Sequence, residues 1–538
     1  MTITGPGEFV GRRRCSRIVC GIMLLCLAPL AGRAGENRIV APDLPDAEIV
    51  RAYERAASQN VLAAVNPKVF AGYWSVCADG QGYGYGNTYP SLDGHQMTDA
   101  LLWLGQAEVA KANWAYVRSF QRPNGQLPLA ILPGMAGKLL PNNTPVDANG
   151  GLYKHWVPGD PLRALAGPTY IQNADAIFRH TQDRAWLRAQ LPSVNLAADY
   201  LASLTTEAGA VAGAGYYVER PTRVEYDGVA QCHAADAFNR VADLNRVAGE
   251  PGAAKRYSEL AQRVAAHFRA KFWLKDHFAE YIHPARGAIG NHGLTDTDWS
   301  ALATGIASPE QTAILWPQLK GEKRFYYGGV PAGIATRPET YEAWEFAHPD
   351  RQDLAAMGRV WYLECWARAR MGDTRGLVDG LRTVAKVGRE GGYYWRERYN
   401  AAGGYGVEKY CEYPANLIRT VQRFLLGVEF RLDGAVALGP TVPEEYWDAG
   451  FGQTLSWRGQ TLSYRMRRGH VAGRFAGPAA QRLCLRLPGQ VAPAAIRVEV
   501  AGRPARFAAE ASWITVDLPP APADHPCEFE VRQANKAE

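Results

Sequence analysis

The spacing of apolar residues changes once along this chain, and that change limits the folds open to it. From about residue 45 to 428 apolar side chains recur at i, i+3, i+4 and i+7; from about 429 on they alternate. The first spacing lines one face of a helix, the second one face of a strand. In 251–273, Tyr257, Leu260, Ala261, Val264, Phe268 and Phe272 form such a helical stripe. The same reading predicts helices at 45–64, 99–120, 168–181, 183–204, 232–249, 296–305, 309–318, 337–347, 350–371, 373–387 and 413–427. About twelve helices in adjacent pairs, with no fixed repeat length, predict a closed ring of hairpins, an (α/α)6 toroid, rather than an open solenoid. In the tail, Leu462, Tyr464 and Met466 alternate with polar neighbours, as do Ile496, Val498 and Val500, between turns at Gly459, Gly469 and Gly502. That pattern predicts a small antiparallel β-sandwich. The predicted fold class is mainly α, with a signal peptide at 1–34, the barrel at 35–428 and the sandwich at 429–538.

The leader reads as a signal peptide because Arg12, Arg13, Arg14 and Arg17 precede a short apolar run, Ile18 to Leu30. Gly32 and Ala34 then supply the small residues of a cleavage site. The apolar run is too short to span a bilayer, so no membrane association is expected after cleavage. The expected address is periplasmic or secreted. The formal charge is +6 over 538 residues, but the leader holds five arginines against one glutamate, which leaves a near-neutral body. A nucleic-acid partner would require a concentrated basic footprint, and none is expected here. Six cysteines follow the leader, with no CxxC pair, so neither a disulfide scaffold nor a metal site is expected, although Cys484 and Cys527 both lie in the tail and are close enough in sequence to pair.

The chemistry has to come from elsewhere, since there is no GxSxG elbow, P-loop, HExxH, or GxGxxG after a strand, and no cofactor is expected. What stands out is carboxylates set in long aromatic loops. Two carboxyl groups flanking a glycosidic oxygen are what glycoside hydrolysis needs, one to protonate the leaving oxygen and one to activate water or attack carbon. The richest loop runs Tyr393-Tyr394-Trp395-Arg396-Glu397-Arg398-Tyr399-Asn400, then a glycine-rich stretch, then Cys411-Glu412-Tyr413-Pro414. This resembles the Glu-Lys-Tyr-Asp, glycine-rich loop and Gly-Glu-Tyr-Pro of trehalases and processing α-glucosidases, which are (α/α)6 glycosidases. The resemblance puts the general base on Glu397 and makes Tyr394, Trp395, Glu412 and Tyr413 candidate sugar contacts. Asn400 and Cys411 depart from the pattern. Glu408-Lys409-Tyr410 offers a second register for the same motif.

Asp93-Gly94-His95-Gln96-Met97-Thr98-Asp99, running into a helix and then a Pro123-Asn124-Gly125 turn, is similar to the family's sugar-contacting Asp at an early barrel helix. That resemblance gives the role to Asp99; a helix N-cap is the other reading of Thr98-Asp99. In the related α-L-rhamnosidases the acid lies just upstream of such an Asp, which makes Asp93 one candidate acid. Glu219, in Tyr216-Tyr217-Val218-Glu219, occupies roughly the place of the trehalase acid and is the other. His95, His155 and His233 beside these loops read as hydrogen-bonding residues, and Trp156 as a pocket wall. Pro440 to Trp447 and Leu455 to Gly459 are similar to the start of the sandwich that follows the barrel in bacterial rhamnosidases and disaccharide phosphorylases.

The expected function is that of an exported glycoside hydrolase acting on a carbohydrate, inverting as the related enzymes mostly do. The rivals are a polysaccharide lyase on the same architecture and a non-catalytic sugar-binding protein on a decayed barrel.

Overall fold

The computed structural model describes residues 41–70, 72–79, 89–141, 143–154, 162–213, 226–346, 354–489 and 493–533, with residues 89–93 described by backbone alone. The predicted signal peptide lies outside them. The first helix, α1 (Ala47–Arg55), continues as a π-turn at Ala56–Val61. There follow α2 (Ser91–Trp103), α3 (Ala107–Arg118), α4 (Ala166–Thr181), α5 (Arg184–Ser203), α6 (Gly228–Ala248) and α7 (Pro251–Lys271). The ring is completed by α8 (Asp296–Thr304), α9 (Pro309–Lys320), α10 (Gly358–Arg370), α11 (Thr374–Glu390) and α12 (Glu412–Thr420).

The even-numbered helices touch in a closed cycle, α2 to α4, α6, α8, α10, α12 and back to α2. The odd-numbered helices pack outside them, and α1 closes the ring against α11 and α12. Burial follows this division. Every residue of α8 from Asp296 to Ala303 is buried, as is every residue of α12. Outer helix α7 buries only the stripe Tyr257, Leu260, Ala261, Val264 and Phe268, plus Ala254. A helix enclosed on all sides needs no polar face, whereas a helix at the rim needs one.

The predicted helix at 99–120 is two helices. The chain breaks at Gly105, which adopts φ +75°, a left-handed conformation that glycine takes at no steric cost. The break turns α3 back along α2 as a hairpin. The predicted helix at 337–347 is instead two single 3-10 turns, Pro338–Thr340 and Ala343–Glu345, in a loop. The ring count of twelve survives because one expected helix divides and another dissolves.

From Val428 the chain forms two packed sheets. One has six strands, in the order 451–457, 460–467, 470–476, 527–533, 496–500 and 503–504. The other has five, in the order 508–510, 513–518, 481–486, 436–438 and 428–430. The predicted alternation holds: Gln460, Leu462, Tyr464 and Met466 face inward. One pairing, 481–486 with 436–438, is parallel rather than antiparallel. Cys484 and Cys527 sit in different sheets and are both free thiols, so the pairing left open by their sequence positions does not form.

The sandwich meets the ring where the inner helices end. Trp103, at the end of α2, stacks on Phe430 at 5.5 Å; Gln182, just past α4, donates to the carbonyl of Arg431; Gln422 donates to Gln453. The mouth of the ring is therefore at the opposite end, where the inner helices begin.

Candidate active site

Inner helices α2, α4, α6, α8 and α10 are each followed by a short turn at the sandwich end, and α12 runs on through Val421–Leu425 into the sandwich; longer segments precede the inner helices at the mouth. Backbone bridges tie these loops into a collar. Cys77 pairs with Tyr410, Tyr399 with Ala356, Ala356 with Gly333, Ala335 with Thr295, and Tyr281 with Asp227. The collar thus links the loops that open α2, α12, α10, α8 and α6. Paired backbone holds the described parts of these loops to one another.

Glu397 sits in this collar and is buried. Its Oε2 accepts from the Val407 N–H at 3.1 Å, and its Oε1 lies 2.9 Å from the Arg398 guanidinium. Trp395, two residues before it, is a loop anchor: its indole N–H donates to the Val384 carbonyl of α11 at 3.1 Å, and its ring packs against Gly388 of the same helix. A Cβ at 388 would overlap that ring, so glycine is required there. Tyr394 and Glu408 line an open groove of about 520 Å³ beside the collar. There Lys409 lies over the Tyr394 ring and Glu408 pairs with Arg396 at 2.7 Å.

Glu412, the first residue of α12, is buried and accepts from the Arg359 N–H of α10 at 2.6 Å. It brackets the starts of two adjacent inner helices. Tyr413 is fully buried between Trp361 and Tyr399, and burial holds its hydroxyl well above the ordinary phenol range.

Asp93 lies in the first turn of α2 and is described by backbone alone; Glu219, Trp156 and His155 lie outside the described residues. Asp99 is not at the mouth. It sits about 9 Å further along α2 than Asp93, at 1.5 Å per residue, and is 1% exposed. Both of its oxygens are taken: Arg419 Nε is at 2.7 Å, and Arg423 grips it with Nε at 2.8 Å and Nη2 at 2.7 Å. Burial alone would raise its pKa, but Arg423 and Arg419 outweigh it and hold the carboxyl well below the carboxylate range. His95 is buried beside it with a pKa pushed down to about 3, first by burial and then by Arg419. The neutral ring donates from Nδ1 to Asn173 at 2.7 Å and accepts at Nε2 from Arg419 at 3.3 Å.

A second buried polar cluster in the collar escaped the sequence reading. His292 lies between two carboxylates, with Nδ1 2.5 Å from Glu280 and Nε2 3.3 Å from Glu345. Tyr341 donates to Glu280 at 2.9 Å and stacks on His292, and Tyr281 donates to Glu345. All five side chains are essentially inaccessible. The one sequence signal was a glutamate inside an apolar run, Phe278-Ala279-Glu280-Tyr281-Ile282. Nearby Asp298 is pushed up to about 7 by burial, against the pull of backbone N–H groups from Phe278 and Thr295. Both of its oxygens serve those two N–H groups, which is a capping role at the start of α8.

Residues 100–315 match the family model described as the bacterial alpha-L-rhamnosidase 6 hairpin glycosidase domain. The ring resembles the six-hairpin glycosidases. Among solved structures, a GH78 family rhamnosidase of Bacillus sp. GL1 aligns with TM-score 0.58 at 13% identity, covering 79% of this chain and 40% of that one. An alpha-L-rhamnosidase from Dictyoglumus thermophilum aligns at 0.57 and 12%, covering 92% of this chain and 51% of the other. The Streptomyces avermitilis alpha-L-rhamnosidase complexed with L-rhamnose aligns at 0.58 and 11%, covering 92% and 42%. The chain therefore spans about half or less of each of these proteins. No curated protein matches it.

Proposed function

We propose that this chain is an exported glycoside hydrolase that cleaves an O-glycosidic bond with two carboxylates and inversion, and that α-L-rhamnosides are the first substrate class to test. The reading is carried by the match of residues 100–315 to a six-hairpin glycosidase domain. Glu397 suits the base. It is a buried carboxylate on the collar, held by contacts that include the Val407 N–H and the Arg398 guanidinium, and orientation is what a base needs to aim a water at the anomeric carbon. Asp93, in the first turn of α2, and Glu219, outside the described residues, remain the candidate acids. Tyr394 and Glu408, which line the groove beside the collar, are our candidate contacts to the leaving part of the substrate. Glu412 and Tyr413 hold the start of α12 in place rather than meet the sugar, and Asp99 positions arginines.

The test is hydrolysis of aryl α-L-rhamnosides, within a panel of other aryl glycosides, by the full chain and its Glu397→Gln variant. The expected result is cleavage of at least one substrate by the native chain, loss of at least ~10²-fold in the variant, and an inverted anomer in the first product seen by NMR. Unchanged cleavage in the variant would move the base to Glu408 and refute the register. A sugar bound without turnover by either protein would refute catalysis and favour the binding protein.

A further inference from the structure

Inside the ring, about 10 Å along α12 from Glu412 at 1.5 Å per residue, lies a closed-in cavity of about 100 Å³. Five of the six inner helices contribute to its wall, which includes Asp99, Arg240, Tyr362, Trp366, Arg419 and Arg423. The charges around it do not cancel. Arg179 and Arg240 are matched by Asp175 and Asp236, with Arg179 2.9 Å from Asp175 and Arg240 2.7 Å from Asp236. Glu429, exposed on the sandwich side, leans on Arg179 at 3.6 Å and on Arg431 at 3.7 Å. Among the described residues, Arg419 and Arg423 have Asp99 alone between them. Histidines do not alter the count, since burial pushes His95 and His180 down to about 3 and His233 down to about 4.

Arginine cannot shed its charge, and an uncompensated charge is costly where it is withdrawn from water; Arg419 is buried, and Arg423, with 26% of its side chain accessible, is part-buried. Two kinds of donor around the cavity are also unused. Arg423 spends Nε and Nη2 on Asp99, leaving both Nη1 hydrogens without a partner among the described residues. The Tyr362 hydroxyl, on a side chain 8% exposed, likewise has no partner among the described residues. The Tyr362 ring carries the Arg419 guanidinium at 3.7 Å, which fixes ring and cation together.

We propose that this cavity is a binding site for one compact monovalent anion, of halide or single-carboxylate size, held by Arg423 Nη1 and the Tyr362 hydroxyl. The anion closes the charge count. The volume is that of about three liquid waters, which admits chloride, bromide, nitrate or formate and excludes a sugar. The site is separate from the collar carboxylates and does not depend on the hydrolase reading.

Thermal unfolding of the full chain is followed in gluconate buffer, an anion too bulky for the cavity, with chloride, bromide or formate added at constant ionic strength. The expected result is a saturable rise in Tm, about 2–3 °C at a hundredfold excess over Kd. The rise is lost in Arg423→Met, which leaves Arg419 and Asp99 matched one to one, and kept in the surface variant Arg468→Gln. A rise of the same size in gluconate, or one retained by Arg423→Met, would overturn the proposal. If Arg423→Met does not fold, anomalous diffraction from bromide-soaked native crystals decides. A bromide peak within hydrogen-bond reach of Arg423 and Tyr362 supports the site, and its absence overturns it.

Discussion

Replacing Asp99 by Asn tests the reading of the ring interior most directly. The substitution keeps size and shape but removes the one carboxylate shared by Arg419 and Arg423, which meets them at 2.7 to 2.8 Å. Breaking a buried ion pair from one side costs about 3–5 kcal/mol, because the partner charge stays behind. At about 2.1 cal/mol/K per residue the unfolding entropy of some 500 residues is near 1 kcal/mol/K, so the loss corresponds to a Tm drop of roughly 3–5 °C at pH 7. The pH dependence supplies a second constraint. Asp99 is held below its ordinary value of 3.8, so the unfolded chain takes up this proton more readily than the folded one. Its stabilisation is complete above about pH 4 and fades as pH falls through the depressed folded value. The gap between native chain and Asp99→Asn should be flat from pH 8 to 5 and close under acid. Calorimetry at pH 7, 5, 4 and 3 measures both. A drop of less than about 1 °C at pH 7, or a gap that widens in acid, refutes the assignment.

Three other outcomes are expected. His292→Phe removes the donor shared by Glu280 and Glu345. Burial pulls Glu345 up, but hydrogen bonds from His292 and Tyr281 bring it below its ordinary value of 4.5, so the variant's deficit should be greatest at neutral pH and shrink below about pH 4 in calorimetry. Gly388→Ala sets a methyl against the Trp395 ring, and overpacking of this kind costs about 1–3 kcal/mol; a lowered Tm together with blue-to-red movement of tryptophan emission checks it. Trp361→Ala empties a fully buried indole site on α10, stacked against Tyr413, with an expected cost of about 3–5 kcal/mol seen as a large fall in Tm.

The ring was legible because its outer helices must show one apolar face and its inner helices more than one. The stripe at Tyr257, Leu260, Ala261, Val264 and Phe268 is the buried face of α7. Boundaries were less legible. Nothing in the period at 99–120 distinguishes a long helix from two helices joined at Gly105, since both bury Leu101, Trp114 and Val117. The loop at 337–347 carries helix-forming residues, but tertiary contacts hold Tyr341 and Glu345 on His292, and a continuous helix would pull them off it. In the tail, alternation finds strands but not their order, so the parallel pairing of 481–486 with 436–438 left no trace.

The candidate site divides in the same way. Glu397 stood out because much of its neighbourhood is local: Trp395, Arg398 and Val407 are all within ten residues and all touch it or its loop. The cluster around His292 is built from residues up to 65 positions apart, Glu280 to Glu345, and only folding brings them together. Asp99 shows the sharper difficulty. A carboxylate at the start of a barrel helix fits a sugar contact, a cap or an ion pair equally well by spacing. What separates the three is a pair of arginines 320 and 324 residues away on α12 and the turn beyond it. Inner helices, buried all round, accept a charge only where another inner helix supplies its opposite. The polar residues of the ring axis therefore answer to one another across the barrel, and those of the collar to the loops beside them. A carboxylate whose oxygens are both spent on arginines, as those of Asp99 are on Arg419 and Arg423, is held too firmly to trade protons with a substrate.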